Sequence, residues 1–466
     1  MDKIDIGFVE KSISGKLLKG NRDKFIDNVC IDSRKVNENS LFVSLVGVKH
    51  DAHKFLDEVY DRGCKSFVIS DEIWAEKFSK KNDINLLLIK DTLIGLQDLA
   101  KAYLETLDVK KLSVTGSVGK TTTKDLLYSI VKKSYKTGRN IGNLNNNVGV
   151  PLTIFTFDSY LEVVIIEMGM GYDGNIERLA EIVKPDVAVV TTIGSSHVEI
   201  YGSREGILKE KLKISKYFNE SNTLIINESC DLLDKKLVRD ITRKNFQITS
   251  VGDEKKSDIL VKNICDLGDK GIEFTLAYSD LEYEVKLPIL GKHNAYNAAL
   301  AIVAANEIGI PVVKAIGGLS DLEITKNRLE IKKTDKFTLI DDTYNASKES
   351  VLSAIDTLKS MVGQRKVAIL GDMYELGDAT VSAHDIVGRY AAERNVDVII
   401  AVGDHAVDIA EGAKKVSSVT KIYYFKTKEE IYPLLGDMLN DGDVILVKAS
   451  RGMALEKIVS KIEEIG

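Results

Sequence analysis

The stretch VTGSVGKTTTKDLL, residues 114–127, sets a lysine and three threonines directly behind a glycine-flanked turn. Such a turn, between a strand and a helix, aims backbone N–H groups at an anion, and the helix dipole adds attraction. In this reading Gly116, Ser117, Val118, Gly119 and Thr122 wrap a nucleotide's phosphates, Lys120 reaches the β- and γ-phosphates, and the Thr121 hydroxyl binds Mg²⁺. The usual P-loop template needs glycine at position 114, where this chain has Val114, and Gly116 stands only three residues before Gly119. A phosphate-free glycine turn is the bland alternative, and Gly119-Lys120-Thr121-Thr122 at the start of a helix weighs against it.

Other residues of the right chemistry follow. Glu167 closes the apolar run VVIIE, and His197 follows the run DVAVVTTIG. Both stand at strand ends, the edge where open α/β sheets bind ligands. A carboxylate, an imidazole and the Thr121 hydroxyl beside a nucleotide suit Mg²⁺. Lys211 lies in the basic helical stretch GILKEKLKI. Asn294 and Asn297, in HNAYNAALA, are three apart and share a helix face that could meet adenine or ribose. Five of the eight residues from 140 to 147 are asparagine.

These side chains need a scaffold, and 466 residues exceed one ordinary core. Residues 1–91 mix short apolar runs with turns and one helical segment, a small α/β domain. From 92 to 319, KLSVTG, LEVVIIEMG, DVAVVTTIG and TLIINES read as buried parallel strands separated by helices, with antiparallel hairpins over 257–290. From 320 to 466, FTLIDD, KVAILGDM, DVIIAVGD, KIYYF and DVILVKAS alternate with helical patterns. That predicts a second, doubly wound, Rossmann-like sheet without a dinucleotide G-x-G-x-x-G. A formal net charge of −6 argues against a nucleic-acid surface. Cys30, Cys64, Cys230 and Cys265 lack C-x-x-C spacing, so a reducing cytoplasm is expected. No apolar run reaches the roughly 18 residues of a membrane span.

The compressed loop T-G-S-V-G-K-T-T resembles the ATP loop of the Mur ligases, which build the peptide stem of peptidoglycan. GNLNNNVGVPLT (142–153), GKHNAYNAALA (291–301), NRLE (327–330), DDTYNASKES (341–350), LGDMYELG (370–377) and VKASRGMALE (447–456) resemble further motifs of that family in chain order. The resemblance implies an ATP-dependent amide ligase in which Thr121, Glu167, His197 and a carbamylated Lys211 hold two Mg²⁺ ions. Charge gives a reason for the carbamate: an ammonium about 4 Å from a divalent cation costs several kcal/mol even at an effective dielectric near 20. Asn294, Asn297, Arg328, Asp342 and Tyr344 would meet ATP, and Asn145, Asn146, Asn147 and Asn345 the acceptor substrate. IDSRKV, LFVSLVG and DAHKF resemble the uridine-nucleotide domain, carried by Ser33, Arg34, Gly47 and Asp51.

Departures are Lys213 for an acid, Ala52 and Ala449 for glycines, and Ser347-Lys348 for Asn-Pro. The asparagine loop and DDTYNA single out the branch that adds D-alanyl-D-alanine to UDP-N-acetylmuramoyl-tripeptide through an acyl phosphate, which implies a cytoplasmic, monomeric enzyme. A sibling Mur-type or folylpolyglutamate-type ligase, or a P-loop nucleotide switch, are the alternatives.

Overall fold

A computed structural model describes residues 1–48, 50–171 and 176–466. They form two compact units whose chain segments interleave. The first comprises Met1–Ser113, Ser134–Asp186 and Lys213–Phe218, and the second comprises Val114–Lys133, Val187–Leu212 and Asn219–Gly466.

In the first unit a five-stranded sheet runs in the order Lys16–Lys19, Asn85–Leu88, Ser66–Ile69, Ser40–Val43, Asn28–Cys30. All neighbours are parallel except the Lys16–Lys19 edge. Phe42, Phe67, Phe78 and Leu56 fill one face, so the apolar runs of residues 1–91 become its core. The helix Thr92–Thr106 starts where Asp91 accepts hydrogen bonds from the N–H groups of Leu93 and Ile94, an N-cap that satisfies two orphan donors. The same unit holds Val163–Glu167, which pairs in parallel with Thr137–Arg139 and ends on Glu167.

In the second unit Val187–Val190, Thr223–Asn227, Gln247–Gly252 and Ile259–Asp266 pair in parallel, one after another. Ile272–Tyr278 and Leu281–Leu287 then continue as antiparallel strands, as the alternation over 257–290 predicts. The helix Lys120–Val131, called here the phosphate helix, packs against His293–Glu307. Ala295, Ala298, Ala299, Ala301, Ala304 and Ala305 of that second helix are all fully buried. A helix that is apolar on every side belongs in an interior, and small side chains let its partners come close.

The last 140 residues or so carry a six-stranded sheet in the order Glu330–Lys333, Thr338–Asp342, Asp443–Lys448, Arg365–Gly371, Val398–Val402, Lys421–Phe425. Every pair is parallel except the first. Strand alternation sends Ile340, Ala368, Leu370 and Leu446 to one apolar cluster and Leu339, Val367, Ile369, Ile445 and Val447 to another. Both faces are therefore covered, which is the doubly wound arrangement expected from the sequence. Among the described residues no helix is long and apolar enough to cross a membrane.

Candidate active site

The phosphate loop is shaped by two positive-φ glycines. Gly116 has φ +150°, and a Cβ there would lie 1.9 Å from Thr191 Oγ1. Gly119 has φ +88°, and a Cβ there would lie 2.6 Å from Asn297 Oδ1. These two positions are where the backbone turns and where a neighbour presses in; Val114 lies in the preceding strand, wholly buried, and needs no such freedom. Thr192 completes the cradle: its Oγ1 accepts from Val118 N at 3.0 Å and its carbonyl from Ser117 N at 2.8 Å. Gly119 caps the phosphate helix without a side-chain bond, which suits an anion at that helix end. Ser117 Oγ is buried with no hydrogen-bond partner. A phosphate group fits this cradle on both counts.

Two lysines converge on one carbonyl. Lys120 Nζ donates to Gly116 O at 2.8 Å and to Ser117 O at 3.1 Å. Lys211 Nζ, on the helix Arg204–Leu212, donates to Gly116 O at 2.8 Å. Lys211 is only 1% exposed. Burial first, and the Lys120 charge second, hold its amine well below the ordinary lysine value. His197 stands at φ +66°, capping the short helix Val198–Tyr201. Burial, then the charges of Lys211 and Lys120, push its imidazole down to about 4. Its Nδ1 lies 3.1 Å from Glu375 Oε2, a carboxyl that burial and Glu199 raise above the usual range.

Arg328 Nη2 donates to Thr121 Oγ1 at 2.9 Å, and its guanidinium carbon sits 4.1 Å from the Tyr344 ring centroid. Arg328 Nε is buried without a partner. Asp342 pairs with Lys448 at 2.6 Å, and the same ammonium donates to Asn345 O at 2.9 Å. Burial raises the Asp342 carboxyl and lowers the Lys448 amine, and their contact opposes both shifts. Thus Asp342 is spent on Lys448, and Arg328, stacked on Tyr344, is the member of this group that reaches the phosphate helix.

A cavity of about 560 Å³ opens beside Val118 and Gly119, and its walls include Arg204, Cys230, Tyr296, Asn297 and Glu349. Asn297 lines it, whereas Asn294 braces Asn297 from behind: Asn297 Nδ2 donates to Asn294 Oδ1 at 2.7 Å, and Asn294 Nδ2 to Leu290 O at 2.6 Å. Thr123 of the phosphate helix donates to Asn297 Oδ1 at 3.3 Å, tying the two helices together.

In the first unit the asparagine loop folds onto Glu167. Asn145 Nδ2 donates to Glu167 Oε1 at 2.7 Å, and Asn140 Oδ1 accepts from Glu167 N at 2.9 Å. Asn146 Oδ1 accepts from Val148 N and Gly149 N, starting the helix Gly149–Ile154, and Asn147 O accepts from Gln97 Nε2. Ser33 and Arg34 form a single turn in which Arg34 makes a two-armed ion pair with Asp32, both arms 2.9 Å. Gly47 N donates to His50 O, and Asp51 Oδ1 takes the His53 ring at 2.6 Å. Lys213 Nζ lies 3.5 Å from Glu177 Oε2. Residues 172–175, part of the IIEMGMGYDGNIERL stretch, lie outside the described residues. Among the described residues no three His, Cys, Asp or Glu side chains gather as a metal-holding group.

Sequence reasoning passed over Thr191, Thr192, Glu349 and Glu375. The threonines sit at the end of a recognised strand, where the Thr-Thr pair was the available signal. Glu349 accepts from Ser195 N at 3.1 Å and Ser195 Oγ at 2.8 Å, contacts that only the tertiary fold reveals.

Residues 114–305 match the Mur ligase middle domain, and residues 327–451 match the Mur ligase, glutamate ligase domain. The UDP-N-acetylmuramoyl-tripeptide–D-alanyl-D-alanine ligase of Bacillus subtilis is 36% identical over 442 residues, covering 94% of this chain and 93% of that one. MurF from Acinetobacter baumannii superposes with a TM-score of 0.91 at 29% identity, over 100% of this chain and 99% of that one. MurF ligase from Thermotoga maritima, solved in complex with ADP, gives 0.82 at 27% identity, over 94% and 97%. With its mixed α/β architecture and its phosphate cradle, the chain belongs to the Mur ligase family, on the MurF branch, and is an ATP-dependent ligase that forms C–N bonds.

Proposed function

We propose that this chain joins D-alanyl-D-alanine to UDP-N-acetylmuramoyl-tripeptide in the cytoplasm, consuming ATP and releasing ADP and phosphate. The observation that carries the reading is the Gly116–Thr122 cradle, with Lys120 and Lys211 converging on one carbonyl. The tripeptide's terminal carboxylate takes the γ-phosphoryl group, the dipeptide amine attacks the resulting acyl phosphate, and phosphate leaves as the amide forms. Phosphoryl transfer depends on positioning and charge neutralisation more than on covalent help. Lys120 supplies a cation at the helix start, and Arg328 keeps a buried N–H to offer. Ser33, Arg34, Gly47 and Asp51 are assigned to the uridine end, and Asn345 and the asparagine loop to the acceptor peptide.

Thr121, Glu167, His197 and Lys211 would hold Mg²⁺, which when bound neutralises phosphate charge. The Thr121 hydroxyl in the first helical turn and an imidazole held neutral fit a cation. A buried amine depressed well below its ordinary value fits carbamylation, in which the neutral amine takes up CO₂ and releases one proton. Carbamylation would change a potential +1 into −1 at Gly116.

The test is ADP release with UDP-N-acetylmuramoyl-tripeptide, comparing D-alanyl-D-alanine with single amino acids. Turnover that requires both acceptor and dipeptide is expected. ADP release without either would identify a nucleotide switch, and preference for a single amino acid would identify a sibling ligase. For Lys211, activity should rise with bicarbonate, and acetate should partly rescue Lys211→Ala.

A further inference from the structure

Between the helix Val312–Gly318 and the strand Glu330–Lys333, the chain is laid along the phosphate helix. Lys133 Nζ meets Asp321 Oδ2 at 2.6 Å, and Lys132 Nζ meets Glu323 Oε1 at 2.5 Å. Glu323 N donates to Ser129 Oγ at 3.1 Å. Thr325 donates twice to Asp125 Oδ2, from its N–H at 2.8 Å and its hydroxyl at 2.7 Å. Arg328 then meets Thr121.

Positions 121, 125 and 129 advance by a helical turn each, and the neighbours 132 and 133 together make the next turn, so all mark one face of the helix, continued past its end. Their partners fall in the opposite order, 328, 325, 323, 321, so the segment is an antiparallel strap. A rise of about 1.5 Å per residue puts about 18 Å between positions 121 and 133. The seven steps from 321 to 328 span about 23–25 Å at full extension, more than the distance they follow, so side-chain contacts rather than chain length must set the register. A slip of one residue would shift Arg328 by about 3.3 Å, beyond hydrogen-bond tolerance at Thr121.

The contacts along the strap differ in strength. Lys133 and Asp321 are 45% and 66% exposed, and such ion pairs are screened and weak. The Asp125 side chain is 1% exposed, lies 3.3 Å from Lys124 Nζ, and receives two charge-assisted bonds from Thr325. Arg328, at the end of the strap, has its Nε buried and unspent.

We propose that Asp125 and Thr325 form a register pin: they are positioning residues that fix where Arg328 meets the first turn of the phosphate helix, and so deliver its guanidinium to the nucleotide's phosphates. This rests on the ligase reading above only for its catalytic consequence. The pin itself is tested on nucleotide-free protein by hydrogen–deuterium exchange. Thr325→Val, which loses the hydroxyl donor at nearly equal volume, should speed exchange of residues 326–329 about tenfold, and Thr325→Ser should not. In the ligation assay Thr325→Val should lower kcat about tenfold while leaving KM for the UDP-linked peptide within about twofold.

The same substitution should cost nothing further in an Arg328→Ala background, because the pin acts through Arg328. Reversing the outer pairs with Asp321→Lys and Glu323→Lys should keep kcat within about twofold, and this variant still tests the pin if Thr325→Val does not fold. Unchanged exchange at 326–329, an equal kcat loss with and without Arg328, or a tenfold loss from the outer reversal would each overturn the pin. A parent protein that shows no dipeptide-dependent turnover would instead overturn the ligase reading, and the exchange result would still judge the strap.

Discussion

The phosphate loop and the asparagine loop occupy the same place in a strand–loop–helix unit, yet opposite means hold them. The phosphate loop is fixed from outside: Thr191, Thr192 and Asn297 press on its glycines, and its helix end carries no side-chain cap. The asparagine loop is fixed by its own amides, because Asn140 and Asn145 bond to Glu167 of the strand Val163–Glu167 and Asn146 accepts from the N–H groups that open the next helix. A loop that must offer backbone donors to a ligand is braced by its neighbours. A loop rich in amides can brace itself and aim a carboxylate. Asn145, assigned from sequence to the substrate, is therefore engaged with Glu167 in this structure.

Substitutions can break or sharpen this contrast. Lys120→Ala should lower ligation by about 10²–10³-fold, as loss of one preorganised charge stabiliser does, while the thermal midpoint stays within a few degrees. A variant that melts normally and turns over like the parent would remove the phosphate loop from the mechanism. Asn145→Ala should lower kcat about 10–100-fold, the usual cost of losing a partner that orients a metal ligand. It should also weaken Mn²⁺ binding, measurable by electron paramagnetic resonance. Unaltered metal binding would return Asn145 to the substrate.

Acid should act on the second unit through two half-buried histidines. Burial and neighbouring cations hold both His197 and His293 down to about 4. Unfolded histidine titrates near 6.5, so above that pH both states are neutral and stability is unaffected. As pH falls from about 6.5 towards 4 the unfolded chain takes up protons that the folded chain refuses, and stability is lost at up to about 1.4 kcal/mol per histidine per pH unit. The urea midpoint should fall between pH 7 and pH 5, and His293→Asn should flatten that fall. An unchanged slope in the variant would show that carboxylates govern it. The smallest effect belongs to a helix cap. Ser347→Ala should cost about 1 kcal/mol in urea unfolding, with kcat nearly unchanged.

Most strands were legible because burial on both faces writes continuous apolar runs, as in VVIIE, VAVV and VIIAV. Gln247–Gly252 was missed: its run QITSVG carries Gln, Thr and Ser and reads as half-polar, although all but Gln247 is buried. The phosphate loop was legible because backbone geometry demands glycine at fixed places. The strap was not, since DLEITKNR has no periodicity of its own and takes its form from the helix beneath it. The Ser347-Lys348 departure is a helix start in which Ser347 and Ser350 form a reciprocal capping box. A capping box is readable from sequence, but here Ser350 replaces the usual Glu or Gln.

The interleaving of the two units bears on the order of synthesis. Thr121 and Arg328 are 207 residues apart, and Asn297, which presses on Gly119, also lies far downstream. A ribosome adding about 5–20 residues per second exposes Lys120 many seconds before the chain that shapes its loop. The first unit likewise needs Lys213–Phe218 before it is whole. The nascent chain thus carries an incomplete phosphate cradle until most of its length has emerged, and competence to handle nucleotide arrives late, once the strap has been laid down.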